Sequence, residues 1–221
     1  MQNPEIIGSL RSSYTRAVCM ACIEKAIPYT LTHTLLGSAE LFAIHPFGKM
    51  PVMRHGDFEL YESLAIAAYL ERAFAGPALF PSDPRELART WQWISMVNSS
   101  LYGTVISYLR AHIQPQTPDG APDIAAIKNI RQQLRRELGV LDLAVNAGDF
   151  LAGAQLTFAD LNLVTILHNI PLFPGGPELL AETAHLAAYH QRLAARESYR
   201  NTIPPPGPPS RAKPSASGSG K

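Results

Sequence analysis

Residues 5–36, EIIGSLRSSYTRAVCMACIEKAIPYTLTHTLL, decide the fold. The short apolar run at the start predicts a strand, and the Ser-Ser-Tyr-Thr turn after it predicts a helix start. RAVCMACIEKA has apolar residues at helical spacing and is followed by Pro28, while the alternating residues of PYTLTHTLL predict a second strand. The order is therefore strand, helix, strand, which is typical of an α/β domain.

The chain continues through SAELFAIHPFGK, a turn or short helix followed by a loop, into a second set of elements. MPVMRHGDFEL contains two short strands, PVM and FEL, joined at His55-Gly56-Asp57, whose residue types fit a tight hairpin. ESLAIAAYLERAF then repeats its apolar positions at helical spacing. The N-terminal region is thus predicted to have the order βαβ-ββα.

Beyond the stretch AGPALFPSDP, which is rich in proline, glycine and serine, the pattern is entirely helical. Ser82 or Asp83 can cap the first helix, with Pro84 in its first turn. Two long amphipathic helices follow, and their repeating apolar residues are Leu87, Trp91, Ile94, Leu101, Val105 and Tyr108 in the first and Ile127, Ile130, Leu134, Leu138, Leu141 and Val145 in the second.

The next helix, FADLNLVTILH, is apolar nearly all round, so we expect it to be central and buried. Thr157 and Asp160 have the spacing of a capping box at its start. A last helix is predicted from about Leu179 to Arg196. The predicted segments are an α/β domain at 1–76, a linker at 77–84, an all-α helical bundle domain at 85–200 and a disordered tail rich in proline, serine and glycine at 201–221.

Composition limits the classes of partner. The 221 residues are 46 % hydrophobic and 17 % charged with a net charge of +1, which is typical of a globular protein and gives no reason to expect nucleic acid or an acidic membrane. No apolar run is long enough to span a bilayer, and MQNPEIIGSL does not resemble a signal peptide. We therefore expect a cytoplasmic protein.

The two cysteines, Cys19 and Cys22, have the C-x-x-C spacing of a redox pair or of half a metal site. Both lie in a helical pattern in which Val18, Cys22 and Ala26 share a face, so we interpret them as small buried apolar residues. No second pair of cysteines or cysteine–histidine cluster completes a metal site, and we expect no metal.

Three local features can carry chemistry. Ser12 and Ser13 lie at a predicted helix start, where free amides favour an anion and a hydroxyl can donate to it; the alternative is that one of them is only the helix cap. Met50-Pro51 lies between a loop and a strand, where proline marks an edge or a special turn. Glu62-Ser63 opens a helix, as a polar cap.

Together these features resemble a known family. GSLRSSYTRAVCMACIEKAIPY at 8–29 and AIHPFGKMPVMRHGDFELYESLAIAAYLER at 43–72 are similar to the cytosolic glutathione S-transferases of serine type, the phi- and theta-like enzymes. The family pattern has a catalytic residue after the first strand, an N-P-x-G-x-v-P loop with a cis-proline, and an E-S pair opening the third helix. The resemblance implies a thioredoxin-like N-terminal domain, an all-α C-terminal domain, a homodimer and a detoxification enzyme.

The resemblance also implies roles for residues. Ser12 stands where the hydroxyl holds the glutathione thiolate, and Ser13 and Tyr14 are the alternatives. The residues implied in glutathione binding are Lys49 near the glycine carboxylate, Met50 through its backbone, Pro51 as the cis-proline, and Glu62 and Ser63 at the γ-glutamyl end. His45 replaces the asparagine of the N-P pair, so its role is open. Thr157 and Asp160 match the structural capping box of the family.

Glutathione is thus the expected cosubstrate, and a hydrophobic electrophile is the expected second substrate, bound between the two domains. Met96, Tyr102 and Tyr108 are candidate wall residues, although apolar residues at this spacing are more often core or dimer interface. Two other functions stay open: a glutathione-dependent isomerase or dehalogenase, and a non-catalytic binding or scaffold protein.

Overall fold

The computed structural model describes residues 2–113 and 123–206. The chain divides into two compact units, and of the described residues 2–76 and 202–206 belong to the first and 77–201 to the second. Residues 114–122 and residues 207–221 of the predicted tail lie outside the described part of the chain.

The first unit is a four-stranded sheet with helices, in the predicted order βαβ-ββα. Its elements are β1 (Glu5–Gly8), α1 (Ser13–Glu24), β2 (Thr30–His33), α2 (Ala39–Ile44), β3 (Val52–His55), β4 (Phe58–Tyr61) and α3 (Ser63–Ala73). The strands lie in the order β2-β1-β3-β4, with β1 parallel to β2 and antiparallel to β3. The hairpin from β3 to β4 turns at Gly56-Asp57, as predicted, with Gly56 at a positive φ of 65°.

Cys19 and Cys22 lie in the core between the sheet and the helices α1 and α3, and neither has any exposed surface. Burial raises the pKa of the Cys19 thiol to about 12 and raises that of Cys22 as well. Both side chains are therefore thiols at neutral pH, which are poor nucleophiles and poor metal ligands. Their interpretation as buried apolar residues is confirmed.

Helix α1 ends at Glu24, two residues before Ala26, the last residue of the predicted helical stretch RAVCMACIEKA that precedes Pro28. The Ile27 N–H donates to the Cys22 carbonyl at 2.8 Å and the Ala26 N–H to the Ile23 carbonyl at 3.0 Å, which is the pair of bonds of a Schellman motif. Ala26 has a left-handed φ of 55°, at the position where glycine is usual. The carbonyl ends of α1 are satisfied, but at the cost of strain at Ala26.

The second unit is helical throughout its described part. Its elements are α4 (Pro84–Met96), a π-helical turn (Val97–Leu101), α5 (Tyr102–Ile113), α6 (Ile124–Asn146), α7 (Phe158–Leu167), a 3₁₀ turn (Ile170–Leu172), α8 (Gly176–Ala181), α9 (Ala184–Ala194) and α10 (Glu197–Arg200). Asp83 caps α4 by accepting from the Arg85 and Glu86 N–H groups, and Pro84 is the first helical residue, as predicted. None of the described helices is both long and apolar enough to cross a membrane.

Helix α7 is the buried centre of this unit, and every one of its residues is buried. The predicted capping box is present: Asp160 accepts from the backbone N–H and the hydroxyl of Thr157, at 2.8 and 3.0 Å. Asp160 also accepts from the Leu151 N–H and the Tyr189 hydroxyl, both at 2.7 Å. Burial raises the pKa of this carboxyl, and the four donated hydrogen bonds oppose the rise because they favour the charged form.

The predicted last helix, from Leu179 to Arg196, is wrong in its continuity, because it is divided into α8 and α9. Thr183 lies at the break with a non-helical backbone, and its hydroxyl donates back to the Leu180 carbonyl at 3.0 Å. The Leu186 N–H, in the first turn of α9, donates to the Asp142 carboxylate of α6 at 2.8 Å. The new helix start is thus stabilised by a side chain distant in sequence.

Replacement of Ala26 by glycine should stabilise the protein by up to about 1 kcal/mol, because glycine adopts the left-handed conformation without the steric cost of a Cβ. The same change at Ala65, an exposed residue in the first turn of α3, should destabilise by up to about 1 kcal/mol, because glycine has a lower helix propensity than alanine. Urea unfolding of both variants measures the difference. Equal effects at the two positions would contradict strain at Ala26.

Asp160→Ala should destabilise the protein by roughly 3–5 kcal/mol, because it leaves buried donors without an acceptor. Asp83→Ala removes an exposed helix cap and should cost about 1 kcal/mol. Comparing the two urea midpoints separates a buried network from an ordinary cap. A cost near 1 kcal/mol for both variants would show that the Asp160 network adds nothing to capping.

Candidate active site

Three segments that carry predicted site residues meet at one end of the sheet. Ile7 of β1 pairs with Val52 of β3, and Val52 pairs with Tyr61 of β4. Because neighbouring strands are about 4.7–4.9 Å apart, the three residues span only about 10 Å. The turn after β1 leads to Ser12, the residues before β3 are Lys49-Met50-Pro51, and β4 leads directly into Glu62.

Ser12 is the N-cap of α1, with an extended backbone and a side chain that accepts from the Thr15 N–H at 3.3 Å. A serine hydroxyl has one donor hydrogen and two acceptor lone pairs, so capping uses only part of its capacity. The capping alternative and the thiolate-donor alternative are therefore compatible. Ser12 is half-buried, whereas Ser13, in the first turn of α1, is 5 % exposed and Tyr14 is half-buried.

Two residues that the sequence did not single out bring the end of β1 close to the start of α1. A Cβ placed on Gly8 would lie 2.6 Å from the hydroxyl oxygen of Thr15, which is fully buried. Any larger residue at position 8 would have to displace the buried Thr15 side chain, so glycine allows this close approach. The glycine just after an apolar strand, with a threonine seven residues on, is the only signal that the sequence gives of it.

His45 holds the loop between α2 and β3. Its Nδ1 accepts from the Phe47 N–H at 3.0 Å, and its carbonyl accepts from the Gly48 N–H at 2.9 Å. The ring is buried, and its centroid lies 4.6 Å from that of Tyr61. The role left open by the sequence is thus that of a loop-forming side chain, which is also what an asparagine can do through its carbonyl oxygen.

The residues after this loop present backbone and charge at the sheet end. The Met50–Pro51 bond is cis, as the resemblance implied, and Pro51 is buried. Met50 precedes the paired residues of β3 and packs on the small cluster of Ile7, Leu41 and Val52. Lys49 is exposed, with its Nζ 5.8 Å from the centroid of the Phe47 ring.

Glu62 has a positive φ of 73° and is the N-cap residue of α3, but its side chain makes no capping bond. Such a conformation costs a non-glycine residue about 1–3 kcal/mol and is found mainly where the surroundings or a ligand require it. Ser63 is the first residue of α3 and is buried. The starts of α1 and α3 therefore lie at the same end of the sheet, which favours negative charge there.

The candidate wall residues differ in their surroundings. Tyr108 is 1 % exposed and donates its hydroxyl to the Pro174 carbonyl at 2.7 Å, so it is a core residue of the helical unit. Tyr102 is half-buried, Met96 is 38 % exposed, and burial raises the pKa of both tyrosines. Across residues 2–113 and 123–206, no three histidine, cysteine or acidic side chains form a group that could hold a metal ion.

His45→Asn should keep most of the stability and activity, because the asparagine carbonyl can replace Nδ1 as the acceptor for the Phe47 N–H. His45→Ala should destabilise by about 1–3 kcal/mol, since the N–H then loses its partner. Thermal unfolding of the two variants measures the difference. If the asparagine variant is as impaired as the alanine variant, the acceptor role of Nδ1 is excluded.

Comparison with known proteins shows the family to which the chain belongs. Residues 6–78 match the family model of the glutathione S-transferase N-terminal domain, and residues 97–200 match that of its C-terminal domain. The chain is 28 % identical to glutathione S-transferase 3 of Zea mays over 189 residues, which is 83 % of this chain and 85 % of the maize protein. It is 26 % identical to glutathione S-transferase F10 of Arabidopsis thaliana over 203 residues, 88 % of this chain and 94 % of that protein.

Among solved structures, a theta-class glutathione S-transferase from Xanthomonas axonopodis pv. citri with glutathione bound is similar with a TM-score of 0.75 and 26 % identity, over 92 % of this chain and 98 % of that one. The predicted fold, a thioredoxin-like domain followed by an all-α domain, is confirmed. With both domain models matched in order, the chain belongs to the cytosolic glutathione S-transferase superfamily, a family of glutathione transferase enzymes.

Proposed function

We propose that this chain binds glutathione at the end of the sheet where β1, β3 and β4 meet, and that the Ser12 hydroxyl donates a hydrogen bond to the glutathione thiolate. The observation that carries the proposal is the position of Ser12, a half-buried cap at the start of α1 on the same sheet end as Pro51 and Ser63. The glutathione-binding domain would be residues 1–76, joined by a linker at 77–84 to the helical domain at 85–200.

In this proposal the backbone of Met50 pairs with the cysteinyl part of glutathione, next to the cis-proline. Glu62 and Ser63 bind the γ-glutamyl end at the start of α3, and the exposed Lys49 ammonium binds the glycine carboxylate. The strained backbone of Glu62 supports a binding role there, because the helix start is left without a side-chain cap.

The energies are sufficient for a serine. A thiol has an ordinary pKa near 8.5, and lowering it by about two units requires roughly 2.7 kcal/mol in favour of the thiolate. A hydrogen bond to a charged acceptor contributes about 1.5–3 kcal/mol and a helix start about 0.3–1 kcal/mol. Serine thus acts as a donor and keeps its proton.

The reaction follows from the thiolate. Its sulfur attacks an electrophilic carbon of a hydrophobic substrate, a carbon–sulfur bond forms, and a leaving group departs with its bonding electrons. The enzyme contributes the thiolate and its position relative to the carbon. No residue of the described chain is assigned to the leaving group.

We also propose that the protein is a homodimer in the cytoplasm. Phe47 is 71 % exposed and Tyr61 is 41 % exposed. Their ring centroids lie 6.2 and 4.6 Å, respectively, from the ring centroid of His45. Exposed aromatic side chains that lie together are typical of a protein–protein contact.

Ser12→Ala should lower kcat for conjugation of an activated aryl chloride by about 10²-fold and change the glutathione KM much less, because the donor acts mainly on the thiolate. At saturating glutathione, the pH midpoint of kcat/KM for the aryl chloride should rise by about 1–2 units, since the pKa of the bound glutathione thiol returns toward its ordinary value. Thiolate absorbance of bound glutathione gives an independent reading of the same change.

Ser12→Asp is the matched control, because aspartate caps a helix as well as serine but, when ionised, cannot donate. It should keep the fold and lose the activity. If Ser13→Ala loses activity and Ser12→Ala does not, the donor is Ser13. A folded protein that retains Ser12 but does not bind immobilised glutathione would instead favour a scaffold function.

A further inference from the structure

After the last helix of the second unit, the chain returns to the first unit. Thr202 is fully buried, and its hydroxyl oxygen accepts from Nε of Arg16 at 3.3 Å. Arg16 is in the second turn of α1 and is 1 % exposed. We call residues 202–206 the C-terminal strap.

The strap makes a second contact beside Ser12. Nη2 of Arg11 donates to the carbonyl of Pro205 at 2.6 Å, across 194 positions of sequence. Arg11 directly precedes Ser12, in a turn in which the Ser12 N–H donates to the Ser9 carbonyl at 2.9 Å. The strap therefore contacts the turn before α1 through Arg11 and α1 itself through Arg16, and Ser12 lies between these two residues.

The composition of the strap favours docking onto the first unit in a fixed conformation. Pro204, Pro205 and Pro206 have fixed φ angles and no N–H, so the segment loses little entropy on docking and cannot form a helix of its own. A run of prolines has no N–H groups of its own to pair with its carbonyls, so these carbonyls are available to outside donors. A guanidinium group is a fitting donor, because it is always charged and presents several N–H groups.

The backbone of Ser12 is held by two hydrogen bonds of 2.9 Å, whereas the capping bond that its hydroxyl accepts from the Thr15 N–H is 3.3 Å long, just beyond the usual range. The capping bond therefore adds little to the positioning of the hydroxyl. Small displacements of a catalytic group lower rates strongly, by about 10²-fold for about 1 Å.

We propose that the C-terminal strap positions the Ser12 hydroxyl through Arg11 and Arg16, which makes Arg11 a positioning residue for the thiolate. The inference rests on the proposed role of Ser12. Glutathione binding through Met50, Glu62 and Ser63 does not involve the strap.

The test compares two shortened chains. One ends at Ile203 and loses the Pro205 carbonyl, and the matched control ends at Pro206 and keeps it; each keeps Thr202 and carries a new terminal carboxylate. In the chain ending at Ile203, kcat should fall by about tenfold or more, while the glutathione KM should change less than about twofold. The pH midpoint of kcat/KM for the aryl chloride, at saturating glutathione, should rise. The chain ending at Pro206 should match the full chain. Equal kcat and equal pH profiles in the two shortened chains would overturn the proposal.

Substitutions at Arg11 test the same contact in the full chain and serve if the shorter chain does not fold. Arg11→Gln should reproduce the loss, and Arg11→Lys should restore part of it, because lysine keeps a donor that can reach the carbonyl. If Arg11→Gln impairs the enzyme but removal of Pro205 does not, the arginine acts through its charge alone and the strap has no role.

The same measurements on Ser12→Ala separate the two proposals. If Ser12→Ala is impaired while loss of Pro205 and Arg11→Gln have no effect, the function of Ser12 stands and the strap is excluded. If Ser12→Ala is fully active, the proposed function fails first, and the strap proposal with it. If both are correct, adding Arg11→Gln to Ser12→Ala should lower kcat no further.

Discussion

The antiparallel pairing of β1 with β3 is the contact on which the candidate site depends. It places the end of β1 beside the start of β3, so the Ser12 turn and the Met50–Pro51 segment lie at the same end of the sheet. The hairpin to β4 brings the start of α3 to the same end of the sheet. A parallel pairing of these strands would have put Ser12 and Pro51 at opposite ends of the sheet. The directions of β1 and β3 thus decide which of the predicted site residues lie together.

The structure also joins two uses of one side chain. Ser12 stabilises the start of α1 as a cap, and in the proposed function it donates to a sulfur anion at the same place. Both uses draw on the same property of a helix start, which gathers unpaired N–H groups. If the proposed function is correct, the helix cap and the anion site are formed by the same residue, so selection for folding and for chemistry acts on Ser12.

Local chemistry let the sequence predict much of this. The hairpin at Gly56 and the capping box at Thr157–Asp160 each depend on residues within a few positions of one another, and both are confirmed. The cap of α4 was predicted at Ser82 or Asp83, and it is Asp83. The resemblance added the cis bond before Pro51, which local sequence does not encode.

Most of the features that could not be predicted depend on partners far away in sequence. The break before α9 requires Asp142, the acceptor for an N–H more than forty residues later. The contact of Arg11 with Pro205 joins opposite ends of the chain. One missed feature is local: α1 ends at Glu24, and Ala26 then adopts the left-handed conformation in which glycine is usual. The roles proposed for Ser12, Lys49, Glu62 and Ser63 remain predictions.

The two cysteines have a consequence for an enzyme whose substrates react with thiols. Both sulfur atoms are enclosed in the core, and burial raises the pKa of each thiol. The thiolate is the form that electrophiles alkylate, so neither side chain competes with glutathione for the substrate. A transferase built in this way can work in the presence of reactive electrophiles without being modified by them at its own cysteines.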